Sequence, residues 1–271
     1  MRGLRETSGT VAIVTGASSG IGAELARQLA REGMRVALLA RRRDRLEALA
    51  ESIAKDGGEA LPFACDVADR ASVDAGVRAV RERWGGRVDV LVNNAGYARH
   101  VLFKDHDDDD VERMVRTNVL GPIHCTKAVL PAMREQRSGL VVMMSSVAGR
   151  LAQPDEAVYS ATKFAVTGLA EALAYELAPL GIHVMTVYPA LVATEMFTPE
   201  ALARMPESLK SSFMPAPDFA RAVVRAMKSG RHELTIPWRV KVAYALRLFF
   251  PGMYRRIVAR MRLPSLPDLV T

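Results

Sequence analysis

The sequence predicts one doubly wound α/β domain, in which helices cover both faces of a parallel sheet. Short apolar runs alternate with helical patterns between residues 11 and 236, as is typical of strand–helix–strand units. The first run is followed at once by a glycine-rich turn and a helix. With 271 residues, of which 49% are hydrophobic, the chain is long enough for one such domain with a substantial core.

The cysteine content, the histidine spacing and the hydropathy of the chain argue against a disulfide-rich, metal-binding, secreted or membrane-spanning protein. Cys65 and Cys125 are too few for a disulfide framework, so we expect buried, reduced thiols in a cytoplasmic protein. The five histidines show no ligand spacing, and we propose no metal site. The apolar run at residues 11–14 is too short for a signal peptide, and no run reaches the roughly 18 apolar residues of a spanning helix.

The positive charge is concentrated near the C-terminus. Of the net charge of +7, residues 231–271 contribute +6, because eight Arg and Lys there face only Glu233 and Asp268. The preceding residues are close to neutral and have no basic stripe interleaved with aromatic residues. We therefore expect no nucleic-acid partner.

The first strand and the turn after it indicate a phosphate site. Residues 11–15 are apolar and β-rich, as in a buried parallel strand, and a helical pattern follows the turn and ends near Gly33. This order brings backbone N–H groups and a helix N-terminus to a pyrophosphate. The alternative is a tight turn of small residues, because the spacing is G-x-x-x-G-x-G. The turn supplies the candidates Gly16, Ser18, Ser19, Gly20, Ile21 and Gly22.

The second strand, residues 35–40, ends in three arginines, Arg41, Arg42 and Arg43. In a doubly wound fold this strand end approaches the adenosine ribose. An acidic residue there would accept from the 2′-hydroxyl, whereas an arginine binds a 2′-phosphate. The run therefore favours NADPH over NADH, with Arg41 as the candidate ligand. The alternative is a basic helix start with no ligand role.

Two further strand ends carry candidate residues. The strand at residues 60–64 leads to Asp66 and Val67, and the strand at residues 88–92 ends in Asn93-Asn94-Ala95-Gly96. Small residues at such a position let a flat ring lie against the backbone, although they are also common in turns. We interpret the acidic residues 104–110 as a helix start and not as a metal cluster.

Tyr159 and Lys163 are the candidate catalytic pair. Their i, i+4 spacing in a helical pattern makes them neighbours on one helix face. A nearby ammonium lowers the phenol pKa from about 10 and makes the phenol a usable proton donor and acceptor. The strand at residues 140–144 leads to Ser146, whose hydroxyl could hold the oxygen of an alcohol or a carbonyl. Asn118, a polar residue inside an apolar helical pattern, is a further candidate.

Residues 11–194 resemble the short-chain dehydrogenase/reductase family. Each motif alone is weak, but their order and intervals together are highly specific: Thr15-Gly16-x-x-x-Gly20-x-Gly22, Asp66, Asn93-Asn94-Ala95-Gly96, Asn118, Ser146 and Tyr159-x-x-x-Lys163. The resemblance implies a single Rossmann-like doubly wound domain with a seven-stranded parallel sheet. It also implies dimers or tetramers built through the helices that bear Asn118 and Tyr159.

The resemblance assigns roles around the cofactor. It places the glycines at the pyrophosphate, Asp66 at the adenine, and Asn93 in support of the central strand. The family usually has Pro-Gly where this chain has Pro189-Ala190, and the added methyl should tighten the nicotinamide site without abolishing binding. The full set of cofactor-binding candidates is Gly16, Ser18, Ser19, Gly20, Ile21, Gly22, Arg41, Asp66, Val67, Asn93, Ala95, Gly96, Tyr159, Lys163, Pro189, Val192 and Thr194.

The resemblance also implies the chemistry. Ser146 would bind the substrate oxygen, and Tyr159 would give it a proton as hydride leaves the nicotinamide. Lys163 would hold the ribose and lower the tyrosine pKa, and Asn118 with a water would complete a proton relay. The sequence therefore predicts an NADP(H)-dependent oxidoreductase that interconverts a ketone and a secondary alcohol.

The C-terminal part bears on the substrate. We predict a catalytic domain at residues 1–237, with a substrate loop or lid at 195–217, and a basic amphipathic extension at 238–271. The loop could instead be an insertion that packs on the core. The extension could meet a membrane surface, a partner subunit or its own core.

Membrane contact would make the protein peripherally associated and would favour a lipophilic substrate such as a steroid, a retinoid or a long-chain keto-lipid. The alternatives are reduction of a 3-oxoacyl group on a carrier protein and a non-catalytic NADP-binding scaffold. The family's carrier reductases generally lack such an extension, and the complete set of Asn118, Ser146, Tyr159 and Lys163 counts against a scaffold.

Overall fold

The computed structural model describes residues 7–195 and 210–260. Its main sheet has seven parallel strands in the order β3-β2-β1-β4-β5-β6-β9, so the predicted fold class is confirmed. A separate two-stranded sheet pairs β7 with β8. The strands are β1 (Val11–Thr15), β2 (Arg35–Ala40), β3 (Glu59–Ala64), β4 (Val90–Asn93), β5 (Gly139–Met144), β6 (Ile182–Pro189), β7 (Val192–Ala193), β8 (Met214–Pro215) and β9 (Glu233–Ile236).

Helices cover both faces of the main sheet. They are α1 (Gly20–Arg31), α2 (Arg43–Lys55), α3 (Arg70–Arg83), α4 (Asp108–Val115), α5 (Gly121–Gln136), α6 (Ala157–Leu177), α7 (Ala216–Lys228), α8 (Val240–Phe249) and α9 (Pro251–Arg260). Helices α1, α2 and α7 pack on one face, and α3, α5 and α6 pack on the other. Side chains of β1 alternate between these two cores, because successive strand residues point to opposite faces. Cys65 and Cys125 are buried and free, as expected.

The topology places a crevice at the carboxyl ends of β1 and β4. The chain passes outward from β1 to β2 and β3 and then returns to β4 on the other side of β1. Helices that leave two neighbouring strands in opposite directions open a crevice between them, and ligands bind there in open α/β sheets. The glycine turn after β1 and the Asn-rich loop after β4 both lie at this point.

The acidic residues before α4 form a helix start, as the sequence indicates. Asp107 is the N-cap, and its carboxylate accepts a hydrogen bond of 2.8 Å from the Asp109 N–H. Three more aspartates occupy the first turn, where negative charge favours the helix dipole. The helix then widens into a π-helical turn at Arg116–Leu120, which contains Asn118, before α5 begins.

The C-terminal extension begins with a helix that contacts the catalytic domain. The Arg247 guanidinium on α8 lies 5.3 Å from the Phe164 ring centroid and donates a hydrogen bond to the Arg150 carbonyl. The Arg150 guanidinium in turn lies over the rings of Tyr188 and Tyr244. One side of α8 therefore meets the chain's own core. Most of the predicted lid at residues 195–217 is outside the described residues.

Candidate active site

A cavity of about 710 Å³ opens at the crevice. It extends from the glycine turn and the end of β2 to the start of α6 and to one side of α8. Seventeen of the nineteen predicted site residues line it, and the exceptions are Asn93 and Asn118. The lining members are Gly16, Ser18, Ser19, Gly20, Ile21, Gly22, Arg41, Asp66, Val67, Ala95, Gly96, Ser146, Tyr159, Lys163, Pro189, Val192 and Thr194.

The glycine turn has no room for a side chain at Gly16 or at Gly22. Gly16 has a φ of +67°, and a Cβ added to it would lie 2.8 Å from the Ala95 Cα. A Cβ on Gly22 would lie 2.3 Å from the Gly16 carbonyl oxygen and 2.5 Å from the Asn94 Nδ2. The turn therefore folds against the loop after β4, and α1 begins within it at Gly20. Unpaired N–H groups at a helix start form a cradle that fits a pyrophosphate.

Thr15 and Asn94 join the ends of β1 and β4. The Thr15 Oγ1 accepts hydrogen bonds of 3.0 Å from the N–H groups of Asn94 and Ala95. The Asn94 Nδ2 donates to the Thr15 carbonyl at 2.9 Å. Sequence reasoning noted asparagines at this strand end but selected the neighbouring Asn93.

Asn93 lies behind the cavity and not in its lining. Its Nδ2 donates to the Thr126 Oγ1 at 3.1 Å and contacts the Met143 sulfur at 3.3 Å. These contacts tie β4 to α5 and β5. The predicted support of the central strand is consistent with this position, but direct cofactor contact is not, because adjacent strand residues point in opposite directions.

Of the arginines at the end of β2, Arg42 is the one whose guanidinium contacts the glycine turn. Arg41 and Arg42 both line the cavity. The Arg42 Nη2 donates to the Ser18 Oγ at 2.9 Å and to the Ser19 Oγ at 2.7 Å, so its guanidinium lies directly at the glycine turn. Arg42 and Arg45 also pair with Glu195, at 3.4 and 2.7 Å. The run of three arginines signalled this region but not which member faces the turn.

Ser146, Tyr159 and Lys163 meet at the other end of the cavity. Tyr159 and Lys163 lie in the first turns of α6 and are 9% and 5% exposed. The Ser146 side chain lies close enough to the Tyr159 phenol to lower its pKa. The Lys163 Nζ donates to the Met144 carbonyl at 2.9 Å and lies 5.6 Å from the Tyr159 ring centroid.

The electrostatics of this group differ from the expectation. Burial raises the pKa of the Tyr159 phenol, Glu156 raises it further, and only the Ser146 hydrogen bond opposes the rise. Burial also lowers the pKa of Lys163 to about 8. The prediction that Lys163 lowers the phenol pKa is wrong for this structure. Removal from water disfavours the charged forms of both groups, and the ammonium is bonded to a backbone carbonyl instead of the phenol oxygen.

Asn118 lies next to the catalytic group without lining the cavity. It is 1% exposed, and its Oδ1 accepts from the Tyr97 N–H at 2.8 Å. Its Nδ2 donates to the Tyr97 carbonyl at 2.8 Å and to the Thr162 Oγ1 at 3.0 Å. A Cβ on Gly96 would lie 3.6 Å from both the Asn118 Oδ1 and the Lys163 Nζ. The π-helical turn thus brings this amide to the lysine, as such turns often do at functional sites.

The space beside Tyr159 has a mixed lining that the sequence did not reveal. The His100 Nδ1 lies 3.2 Å from the Glu156 carboxylate, and the hydrogen bond between them raises the pKa of His100. Val240 and Ala243 of α8 form part of the wall. Glu156 precedes Tyr159 by three residues, a helical spacing that could have indicated it. No local signal links α8 to the site. The apolar part of this wall consists of Val147, Ala148, Leu151, Leu191, Val240 and Ala243.

Comparisons with known proteins show the family of this chain. A family model described as short chain dehydrogenase matches residues 10–204. The Oxidoreductase UcpA of Escherichia coli K12 is 40% identical over 209 residues, which cover 77% of this chain and 79% of that protein. The 3-oxoacyl-[acyl-carrier-protein] reductase FabG of Staphylococcus aureus Mu50 is 39% identical over 186 residues, covering 68% and 75%.

Two solved structures share the fold. A short chain dehydrogenase/reductase from Burkholderia phymatum, in complex with NAD, has a TM-score of 0.84 and 27% identity, with 92% of this chain and 96% of that chain covered. An alcohol dehydrogenase from Thermococcus sibiricus, complexed with 5-hydroxy-NADP, has a TM-score of 0.75 and 30% identity, with coverage of 84% and 95%. The family model spans more than half of the chain, and the relative from Escherichia coli K12 is 40% identical over more than two thirds of it. The chain therefore belongs to the short-chain dehydrogenase/reductase family and is an oxidoreductase.

Proposed function

We propose that the protein uses NADP(H) to interconvert a ketone and a secondary alcohol on a lipophilic substrate. The observation that supports this proposal most directly is that two groups of residues line the same cavity. Ser146, Tyr159 and Lys163 lie at one end, and the glycine turn with Arg41 and Arg42 lies at the other. A dinucleotide fits this arrangement, because α1 begins within the turn at Gly20, and backbone N–H groups at a helix N-terminus bind a pyrophosphate. When bound, its nicotinamide would supply or accept the hydride.

In the proposed reaction, side chains of the protein transfer the proton. Ser146 binds the substrate oxygen, and the Tyr159 hydroxyl donates its proton to that oxygen during reduction. A phenol whose pKa is raised by burial stays protonated at neutral pH, so this geometry favours the donor role. For alcohol oxidation the phenol must lose its proton. We expect Lys163, whose pKa burial lowers to about 8, to take part in the transfer of that proton, together with Asn118 and a water.

The arginines at the end of β2 support NADP(H) over NAD(H). Arg42 faces the glycine turn and Arg41 lines the same cavity; among the described residues, Glu195 pairs with Arg42. A guanidinium binds a phosphate through charge-assisted, often bidentate hydrogen bonds. One of the two solved neighbours is in complex with NAD and the other with an NADP derivative. Family membership therefore does not decide between the two cofactors, and the argument for NADP(H) rests on these arginines.

Substitution of Arg42 by Ala should therefore shift the cofactor preference. We expect the KM for NADPH to rise about tenfold to a hundredfold, since a hydrogen bond to a charged group contributes about 1.5–3 kcal/mol. The KM for NADH should change little. Steady-state kinetics with both cofactors measure the ratio. Arg43→Ala is the matched control, because Arg43 pairs with Glu47 on the surface of α2. A parallel change for both cofactors would contradict the assignment.

Two features support a lipophilic substrate. Aliphatic side chains are among the residues that line the cavity, and two of them, Val240 and Ala243, come from the extension that follows the catalytic domain. A second candidate is reduction of a 3-oxoacyl group on a carrier protein, which the 39% identity to FabG favours. The proposed self-association through the helices that bear Asn118 and Tyr159 is independent of this choice and stays a prediction.

Consumption of NADPH with a panel of substrates tests the proposal. The panel should pair steroid and long-chain ketones with 3-oxoacyl thioesters, free and carrier-bound. We expect kcat/KM to be at least about tenfold higher for the lipophilic ketones, because their apolar surface is removed from water against the aliphatic wall. Turnover confined to carrier-bound 3-oxoacyl groups would establish the second candidate instead.

A further inference from the structure

We propose that α8 and α9 dock the protein on an anionic lipid surface. The docking face consists of exposed apolar side chains on these helices and the residues around them, together with the basic residues between them. Its apolar members are Trp238, Val242, Leu248, Phe249, Phe250, Met253 and Ile257. This docking does not depend on the proposed reaction.

Exposed apolar surface is concentrated in this segment. In the described ranges, eleven large hydrophobic side chains are exposed, and seven of them lie between residues 238 and 257. Leu248 is 73% exposed, Phe249 70% and Phe250 60%. Single exposed apolar residues are ordinary on a protein surface, but seven of them within 20 consecutive residues are typical of an interaction site.

Two exposed apolar residues of α8, Val242 and Phe249, lie opposite its contact with the domain. Val240, Ala243, Tyr244 and Arg247 face the catalytic domain, and their spacing of three and four residues defines one side of the helix. At about 100° per residue, Val242 and Phe249 lie on the far side of the helix. The domain therefore holds α8 by one face and presents the other outward.

The positive charge of residues 238–260 favours an anionic partner. Residues 238–260 contain Arg239, Lys241, Arg247, Arg255, Arg256 and Arg260 and no Asp or Glu. Basic residues beside an apolar face are typical of helices that lie in a membrane interface, where anionic headgroups attract them. In the part of the chain that the structure describes, no helix is both long and apolar enough to cross a bilayer. The geometry points to a face that lies on the lipid surface.

A second copy of the chain fits this face less well. A symmetric contact brings the same patch of both subunits together. Here it would place two groups of basic residues against each other without any carboxylate in residues 238–260 to neutralise them. An anionic lipid surface covers the apolar side chains and neutralises the charge at the same time.

Docking also bears on the cavity, and this consequence rests on the proposed function. Val240 and Ala243 line the cavity from the inner side of α8, whereas Val242 and Phe249 are on its outer side. One helix of ten residues thus separates the substrate space from the docking face. A lipophilic ketone or alcohol dissolved in the lipid would have a short path to Tyr159.

Vesicle flotation of the full chain tests the docking. Vesicles of phosphatidylcholine alone are compared with vesicles that also contain phosphatidylglycerol. We expect the protein to float with the anionic vesicles and at least about fivefold less with the neutral ones. The double variants Phe249→Ser/Phe250→Ser and Arg255→Glu/Arg256→Glu should each lower the floated fraction at least about fivefold. Matched controls are Phe103→Ser, at another exposed phenylalanine, and Arg78→Glu/Arg225→Glu, at exposed arginines elsewhere.

Each result of the flotation experiment either supports or overturns the proposed docking. Absence of flotation with anionic vesicles, or flotation that the docking-face variants do not reduce, would overturn the proposal. Conversion of an oligomer into a monomer by Phe249→Ser/Phe250→Ser, without any vesicle binding by the parent, would assign the face to a second copy and also overturn it. Flotation requires no turnover, so failure of the proposed reaction would leave this result unchanged.

Discussion

Replacement of Tyr159 by Phe is expected to lower kcat by a factor on the order of 10² to 10⁴ or more, because a positioned proton donor contributes that much to a rate. The change removes one oxygen atom from a side chain that is 9% exposed and keeps the ring, so the fold should be retained. Cofactor affinity should change little, since the glycine turn and the β2 arginines are untouched. Single-turnover kinetics and a fluorescence titration with NADPH measure the two quantities.

The same helix offers a matched control for this substitution. Tyr175 lies on α6 with Tyr159 but is 73% exposed and far along the helix from the cavity. Tyr175→Phe should therefore have the parent kcat and the parent affinity for NADPH. Normal turnover by Tyr159→Phe would refute the role of this phenol, whereas loss of both activity and cofactor binding would show that the residue acts by maintaining the cavity.

Substitution of Gly22 by Ala is expected to raise the Kd for NADPH at least about tenfold and to destabilise the protein by about 1–3 kcal/mol. The added Cβ would lie 2.3 Å from the Gly16 carbonyl oxygen, a backbone atom that can move only if the whole turn moves. The N–H groups at the start of α1 would then lose their arrangement. Cofactor titration and urea unfolding measure the two effects.

Gly168 provides the control for backbone crowding. It lies on the exposed side of α6, and a Cβ there would meet nothing within 4 Å. Gly168→Ala should leave NADPH affinity unchanged and stabilise the helix by roughly 0.5–1 kcal/mol, because Ala loses less backbone entropy than Gly on folding. Parent-like NADPH binding by Gly22→Ala would show that the turn does not hold the pyrophosphate.

The element pattern was predictable because its signals are local. A strand buried on both faces is an unbroken apolar run, and β1 shows this pattern over its whole length. Helix ends were less accurate. From the apolar spacing we predict a helix over Leu46 to Ala54, whereas α2 begins earlier, at Arg43. The first turn of α2 is exposed and has no apolar residue to mark it. In the same way the strand predicted at residues 88–92 is Val90–Asn93 in the structure.

The choice between adjacent residues was not predictable. Asn93 was predicted as a cofactor contact, but Asn94 joins the strand ends and Asn93 packs against α5. At the end of β2, Arg41 was selected and Arg42 faces the glycine turn. Neighbouring residues at a strand end point in different directions, so a shift of one position exchanges the inner and outer side chains.

The sequence by itself determined the fold, the family and 17 of the 38 residues that line the cavity. These can be inferred from short patterns formed by residues that are close together in the chain. Examples are the glycine turn between a strand and a helix, and a tyrosine and a lysine one helical turn apart. Only the tertiary structure decided the raised pKa of Tyr159, the lowered pKa of Lys163 and the entry of α8 into the cavity wall. Desolvation is set by all the atoms that surround a group, and those atoms come from residues far apart in the chain.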